Sequence, residues 1–178
     1  QRPQYSQEDF RQQATQARQS IKDCIAEIRQ IPGYENFLSL PTYQDIATTV
    51  QPGHPLIYLV STPNGSLALI LTTPGIREIW LNDLTEPQLI DLLRDNWFKA
   101  YVERETDPQA WFDVIDDVTH QLWNSLMAPL VDHLQNNNLS KAILIPTGYF
   151  SYLPLHAAWT PNPTEPKSRR YACDNIQF

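Results

Sequence analysis

Four consecutive apolar residues, Ala142-Ile143-Leu144-Ile145, followed at once by Pro146-Thr147-Gly148, constrain this chain more than any other stretch. A short unbroken apolar run is the pattern of a strand buried on both faces, as in a parallel sheet covered by helices. Pro146 has no N–H for the ladder and ends the strand. Gly148 can take a positive φ and turn the backbone sharply. An aromatic, Leu-rich segment then reaches Leu153-Pro154-Leu155, where Pro154 is placed to start a helix. In a parallel α/β sheet, ligands sit at the loops leaving the carboxyl ends of the strands. The segment thus predicts a buried strand feeding a shaped loop.

The residues before it predict how a sheet and its cover are built. Leu56–Ser61 and Leu67–Thr72 are rich in Leu, Ile and Val and flank Pro63-Asn64-Gly65, whose Asn-Gly pair is a strong hairpin signal. Pro74-Gly75 turns the chain again into Ile76–Leu81, giving an antiparallel meander beside the parallel strand. Thr85 and Gln88 form a capping box for a helix running to about Arg104, with Leu89, Leu93, Trp97 and Tyr101 on one face. Asp107-Pro108 starts a second helix as cap and first helical residue. Its stripe is Trp111, Ile115, Val118, Leu122, Leu126, Leu130 and Leu134, and Pro129 predicts a kink. Asn136-Asn137-Asn138 closes it. Stripes at this spacing are core, not a cofactor box.

With those elements in place, the run from Ala142 to Trp159 resembles the hallmark segment of the CHAT domain, a caspase-like domain found with TPR repeats in cyanobacteria and other bacteria. That pattern is an apolar strand, Pro-Asp-Gly, a short hydrophobic turn, and Leu-Pro-(Leu/Phe)-x-Ala. Here it reads Pro146-Thr147-Gly148, then Leu153-Pro154-Leu155-His156-Ala157, with Thr147 where the family usually has Asp. The resemblance covers roughly Leu56 to Phe178, and its specific part is Ala142–Trp159. It implies an α/β fold: a caspase-like sheet flanked by helices, incomplete at the C-terminus, with an N-terminal helical extension. The domain division is residues 1–50, helical extension and linker, and residues 51–178, the N-terminal part of a CHAT domain. Peptidases of the family carry a His and a Cys on loops after later strands. Ile176-Gln177-Phe178 looks like the start of the next strand, so both dyad positions are expected beyond Phe178, and no catalytic residue is expected within this chain.

The N-terminal helix carries a separate signal. Ser6 with Asp9 approximates a capping box and starts it near Gln7, and Pro32-Gly33 ends it. Phe10, Ala14, Ala17, Ile21, Cys24, Ile28 and Ile31 fall at alternating steps of four and three, a heptad seam. Such a stripe either packs on the rest of this domain or docks on a partner: a helical array such as TPR repeats, or another copy. Cys24 lies on the stripe and reads as a small buried hydrophobe, not a reactive thiol. Residues 32–55 form a linker with one helical turn at about Tyr43–Thr49.

Composition narrows the remaining classes. With 178 residues the chain suits one cored domain, or a small domain with a helical extension. A net charge of −7 argues against nucleic acid, and the one basic cluster, Lys167 to Arg170, reads as a solvated loop. No apolar run is long enough to span a membrane and no secretory signal precedes the first helix, so a cytoplasmic protein is expected, and the resemblance implies a bacterial one. The lack of an initiator Met suggests an excised or processed fragment. Cys24 and Cys173 make no disulfide framework or zinc pattern. The sequons at Asn64 and Asn138 carry no meaning in such a protein.

Several residues invite a chemical reading. His156 and Cys173 stand in the chain order of a caspase-like dyad. Yet the resemblance places His156 in a segment the family does not use as base, and Cys173 precedes a strand where a nucleophile follows one. His120 and His133 share one long helix without a third ligand at metal spacing, and Asp132 does not share a face with His133. Asp113, Asp116 and Asp117 read as the solvated side of their helix, near the positive end of its dipole. No cofactor or metal is expected. Two functions follow: the N-terminal part of a CHAT cysteine endopeptidase framing an active site completed from outside this chain, or a non-catalytic protein–protein interaction module docking on helical repeats.

Overall fold

The computed structural model describes residues 7–165 and 168–178. Ser6 of the expected capping box and Lys167 of the basic cluster lie outside the described residues, as does the side chain of Asp9. The chain forms two compact units, one ending at Gln44 and one spanning Asp45–Phe178.

In the first unit, α1 (Gln7–Ile28) runs for 22 residues and stops before Pro32 and Gly33, the latter at φ +90°. Of the expected seam, Ile21 is 60% exposed and Ile31, beyond the helix end, 51%, while Ile28 is half-buried. Cys24 is exposed as well, against the expectation of a buried hydrophobe. A second short helix, α2, spans Tyr43–Ala47.

The second unit is mixed α/β. β1 (Leu56–Thr62), β2 (Gly65–Thr72) and β3 (Gly75–Leu81) form the antiparallel meander, and β4 (Ile143–Pro146) pairs parallel to β1 in the order β3-β2-β1-β4. Both hairpins share one turn chemistry. The hydroxyls of Thr62 and Thr72 donate to the carbonyls of Gly65 and Gly75 at 2.7 and 2.9 Å. Since Thr62 pairs with Gly65, the two central turn residues are Pro63 and Asn64, and Pro63 supplies the fixed φ that suits the first of them.

Two long helical segments cover one sheet face. The first comprises α3 (Glu86–Asp91), a π-helical stretch Leu92–Phe98 and α4 (Lys99–Glu103). Its capping box is formed: the Thr85 N–H donates to Gln88 Oε1 at 2.7 Å, and the Gln88 N–H to Thr85 Oγ1 at 3.4 Å. Thr85→Ala is therefore expected to lower stability by about 1 kcal/mol, measured by urea denaturation. The wide turn shifts the apolar face, so Ala100 is buried while Tyr101 is 46% exposed.

The second segment comprises α5 (Pro108–Leu122), a π-helical stretch Trp123–Met127 and α6 (Ala128–Asn136). The Asp107 carboxylate accepts the Ala110 N–H at 3.0 Å and caps it. Instead of breaking at Pro129, the helix widens just upstream, and the Ala128 N–H reaches back to the Trp123 carbonyl. A wide turn gives the proline ring room where an α turn would clash. Val118, Leu122, Leu126, Leu130 and Leu134 are all fully buried against Ile57, Leu59 and Ile70 of the sheet. Each such side chain contributes about 1.5–3 kcal/mol of hydrophobic stabilisation.

The other sheet face is covered only in part. Val50, Leu56 and Leu71 are buried there with help from Ile46, Tyr58 and Ile145, while Ile76 is 51% exposed and Trp80 62%. This corrects the expectation of a strand buried on both faces: Ile143 of β4 is 51% exposed and the rest of β4 is half-buried. β4 lies at the end of the sheet, and apolar content alone does not distinguish an end strand from a central one.

The chain then adds a two-stranded sheet, β5 (Trp159–Pro161) against β6 (Arg169–Tyr171), and a one-turn helix α7 (Ala172–Asn175). Beyond it, Gln177 bridges Lys141 in parallel, so the last residues begin to pair beside β4.

Candidate functional site

β4 ends at the Pro146-Thr147-Gly148 turn, which lies beside Leu59 in the middle of the parallel strand β1. Thr147 ties the turn down by donating twice to one acceptor: its N–H and its Oγ1 hydroxyl reach the Leu59 carbonyl at 3.1 and 2.7 Å. Gly148 sits at φ +54° with open space where a Cβ would stand, so backbone conformation, not crowding, favours glycine there. A 3₁₀ turn, Gly148–Tyr152, follows. Phe150 is fully buried within it, the Ser151 hydroxyl donates to the Pro146 carbonyl at 3.1 Å, and Tyr152 meets Phe98 edge to face at 5.6 Å. Pro154 does not start a helix as its position suggests; only a single 3₁₀ turn, Leu155–Ala157, forms. Leu155 and Ala158 are buried, and the Ala158 carbonyl accepts the Ala172 N–H at 2.8 Å. The segment is thereby anchored at both ends before a longer helix can develop.

Beside this loop, Ile143, Leu144, Pro146, Leu153, Leu155, His156 and Phe178 line a groove of ≈ 370 Å³ along the outer edge of β4. Six of the seven are apolar, and His156 is the polar group. The groove offers apolar surface and one imidazole.

His156 and Cys173 are not assembled into a dyad. Both are exposed, no hydrogen bond joins them among the described residues, and only His156 lines the groove. Cys173 belongs to α7. His120 is engaged structurally, with Nδ1 3.1 Å from the Trp159 carbonyl and its ring 4.6 Å from the indole. His133 lines a separate ≈ 300 Å³ hollow with Arg77 and Asn137. Among the described residues no group of three or more His, Cys, Asp or Glu side chains is placed to hold a metal ion.

Asp113 and Asp117 are exposed as expected, but Asp116 is not simply solvated: its carboxylate pairs with Arg169 of β6. The Arg169 guanidinium also lies 3.9 Å from the centre of the Trp159 ring, and the Trp159 Nε1–H donates to the Asp116 carbonyl at 3.2 Å. Burial works against the Arg169 charge, yet the hydrogen bonds to Asp116 and Tyr171 outweigh it and raise its pKa above the ordinary arginine value. Arg170, half-buried, lies 5.2 Å from the Trp123 ring. Arg169 and Arg170 thus belong to a small sheet pinned on α5, not to a solvated loop. Sequence reading missed β5 and β6, whose three-residue strands carry too little periodicity to register.

The fold is thus a mixed α/β domain with a half-covered sheet and an apolar groove at its parallel end. No family model matches the chain, and neither the curated proteins nor the solved structures provide a significant match. Among the described residues no helix is long and apolar enough to cross a membrane.

Proposed function

We propose that this chain is the N-terminal part of a caspase-like CHAT cysteine endopeptidase of a bacterial cytoplasm, framing an active site whose His/Cys dyad comes from outside it. The observation that carries the reading is the Ala142–Trp159 segment: a parallel strand, a turn held by Thr147 and Gly148 at its carboxyl end, and Leu153-Pro154-Leu155 folding back beside a groove along the strand. Ligands of α/β sheets bind at such carboxyl ends. In this reading the chain supplies the wall that positions substrate main chain. A thiolate from the completing polypeptide attacks the peptide carbonyl, with a histidine as base and acid.

The chain alone is expected to be inactive. Incubated with a pool of fluorogenic peptides it gives no cleavage above a buffer blank, and His156→Ala and Cys173→Ala change nothing. Thiol-sensitive cleavage by the isolated chain, lost in either variant, contradicts the reading. Native mass spectrometry of the protein from its source supplies the positive arm, through a co-purifying polypeptide that restores cleavage.

A second reading is favoured by a specific observation: Ile21 of α1 and Ile31 just beyond its end are more than half exposed. They suit a non-catalytic interaction module that docks on helical repeats or on itself. Peptidase activity in the completed assembly separates the two.

A further inference from the structure

A second concavity lies away from the β4 groove, where β2 turns into β3 and α6 ends. It encloses ≈ 300 Å³, at the lower end of the range for small-molecule sites. Ile70, fully buried, forms its floor, and Pro52, Pro55, Pro74 and Leu139 make apolar walls. The segment before β1, the β2–β3 turn and the end of α6 each contribute to it. Such sites are mostly apolar and fix a ligand through a few placed polar groups.

Here the polar groups are Arg77 and His133. Arg77 stands opposite Ile70 in the β2–β3 register, so its side chain rises on the helix-covered face of the sheet, while Ile76 and Glu78 take the other. It reaches the hollow across from His133, in the last turn of α6. Arg94, Arg104 and Arg169 meet carboxylates, and Arg170 lies beside the Trp123 ring. Among the described residues, Arg77 alone of the second unit's arginines has no ion pair, hydrogen bond or ring contact, and the His133 ring has no hydrogen-bond partner. The chain has 20 acidic and 13 basic residues, yet no acidic residue lines the hollow, so nothing in its wall competes for the guanidinium. The carbonyl end of a helix repels an anion, but that of α6 is already capped. Asn137 donates to the His133 carbonyl through its N–H at 3.2 Å and its Nδ2 at 2.7 Å, and the Leu139 N–H donates to the Leu134 carbonyl at 2.9 Å.

We propose that this hollow binds a small carboxylate carried on an apolar body. The Arg77 guanidinium presents its N–H groups as a planar fork that matches the two oxygens of a carboxylate. The His133 ring adds a donor, and the proline and leucine walls cover the body of the ligand. A single fixed cation balances one negative charge and leaves that of a phosphate dianion in part uncompensated. The site does not depend on the peptidase reading, since none of its lining belongs to the Ala142–Trp159 segment.

The probe is phenylacetate, titrated into the ¹⁵N-labelled full chain at constant ionic strength and followed by NMR. The amides of Gly53, Thr73, Arg77 and Asn137 are expected to shift together, with a Kd of about 1 mM or tighter. Phenylacetamide keeps the shape without the charge and should bind roughly tenfold more weakly or worse. Acetate, which lacks the apolar body, should lose as much. Arg77→Gln should also weaken phenylacetate by roughly tenfold or more. Arg77 is exposed and holds no other group, so the variant should fold, and an unchanged spectrum away from the hollow checks this. Arg94→Gln, on an exposed arginine elsewhere, should leave the affinity as it was. Equal binding of phenylacetamide, tighter binding of inorganic phosphate, an unaltered affinity in Arg77→Gln, or shifts spread over the surface arginines each overturns the proposal.

Discussion

Phe150→Ala is expected to lower the free energy of unfolding by about 3–5 kcal/mol, the usual range for truncating a buried aromatic. Phe150 heads the fully buried large side chains of the domain at 0% exposure, yet it belongs to a one-turn loop element. That turn packs on β1 and α3, so the ring fixes the loop between sheet and helices. Removing it takes away the apolar transfer energy and leaves a cavity that rigid neighbours cannot close. Against a total of about 5–15 kcal/mol for a domain, the loss brings the variant close to unfolding. Urea denaturation followed by circular dichroism measures it, with the slope unchanged. Tyr152→Ala is the comparison within the same turn. Tyr152 is 57% exposed and keeps only its edge contact with Phe98, so about 0.5–1.5 kcal/mol is expected. Equal effects from the two variants would mean that the loop is not held by core burial.

What was legible in the sequence is what local periodicity encodes. The stripe from Val118 to Leu134 appears as buried residues because four turns of one helix repeat the same apolar spacing. The caps at Thr85 and Asp107 and both hairpins are likewise local chemistry, read from neighbouring residues. Errors arise where the answer depends on distant partners. Ile143 has the composition of a central-strand residue, but exposure depends on whether another strand lies outside β4, which four residues cannot encode. The π turns at Leu92–Phe98 and Trp123–Met127 respond to tertiary packing and to Pro129, and moved Tyr101 out of the core in favour of Ala100. At the candidate site, the turn and its glycine were legible. The groove was not, because Phe178 and Leu144 are brought together only by the return of the chain past α7.

Thr147→Asp tests the turn itself, and it is expected to destabilise the domain by roughly 2–3 kcal/mol at neutral pH. The Thr147 hydroxyl is a donor to the Leu59 carbonyl at 2.7 Å, and a carboxylate can only accept. The substitution exchanges one hydrogen bond for two acceptors facing each other in a half-buried site. The Thr147 N–H keeps its own bond to Leu59 at 3.1 Å, so the turn retains one tie and the variant should fold. Thr147→Val, which keeps the shape and loses only the hydroxyl, should cost about 1 kcal/mol. The sign with pH follows from the same geometry. A protonated carboxyl can donate to Leu59, so the new group's folded-state pKa lies above its unfolded value of about 3.9. The deficit relative to wild type is therefore smallest below that value and grows to its full size as pH rises through the folded pKa. Paired urea titrations of both proteins at acid and neutral pH give the comparison. If Thr147→Asp instead raised stability, the turn would hold a donor for a carboxylate, and the Thr147 hydroxyl bond to Leu59 would not be what fixes it.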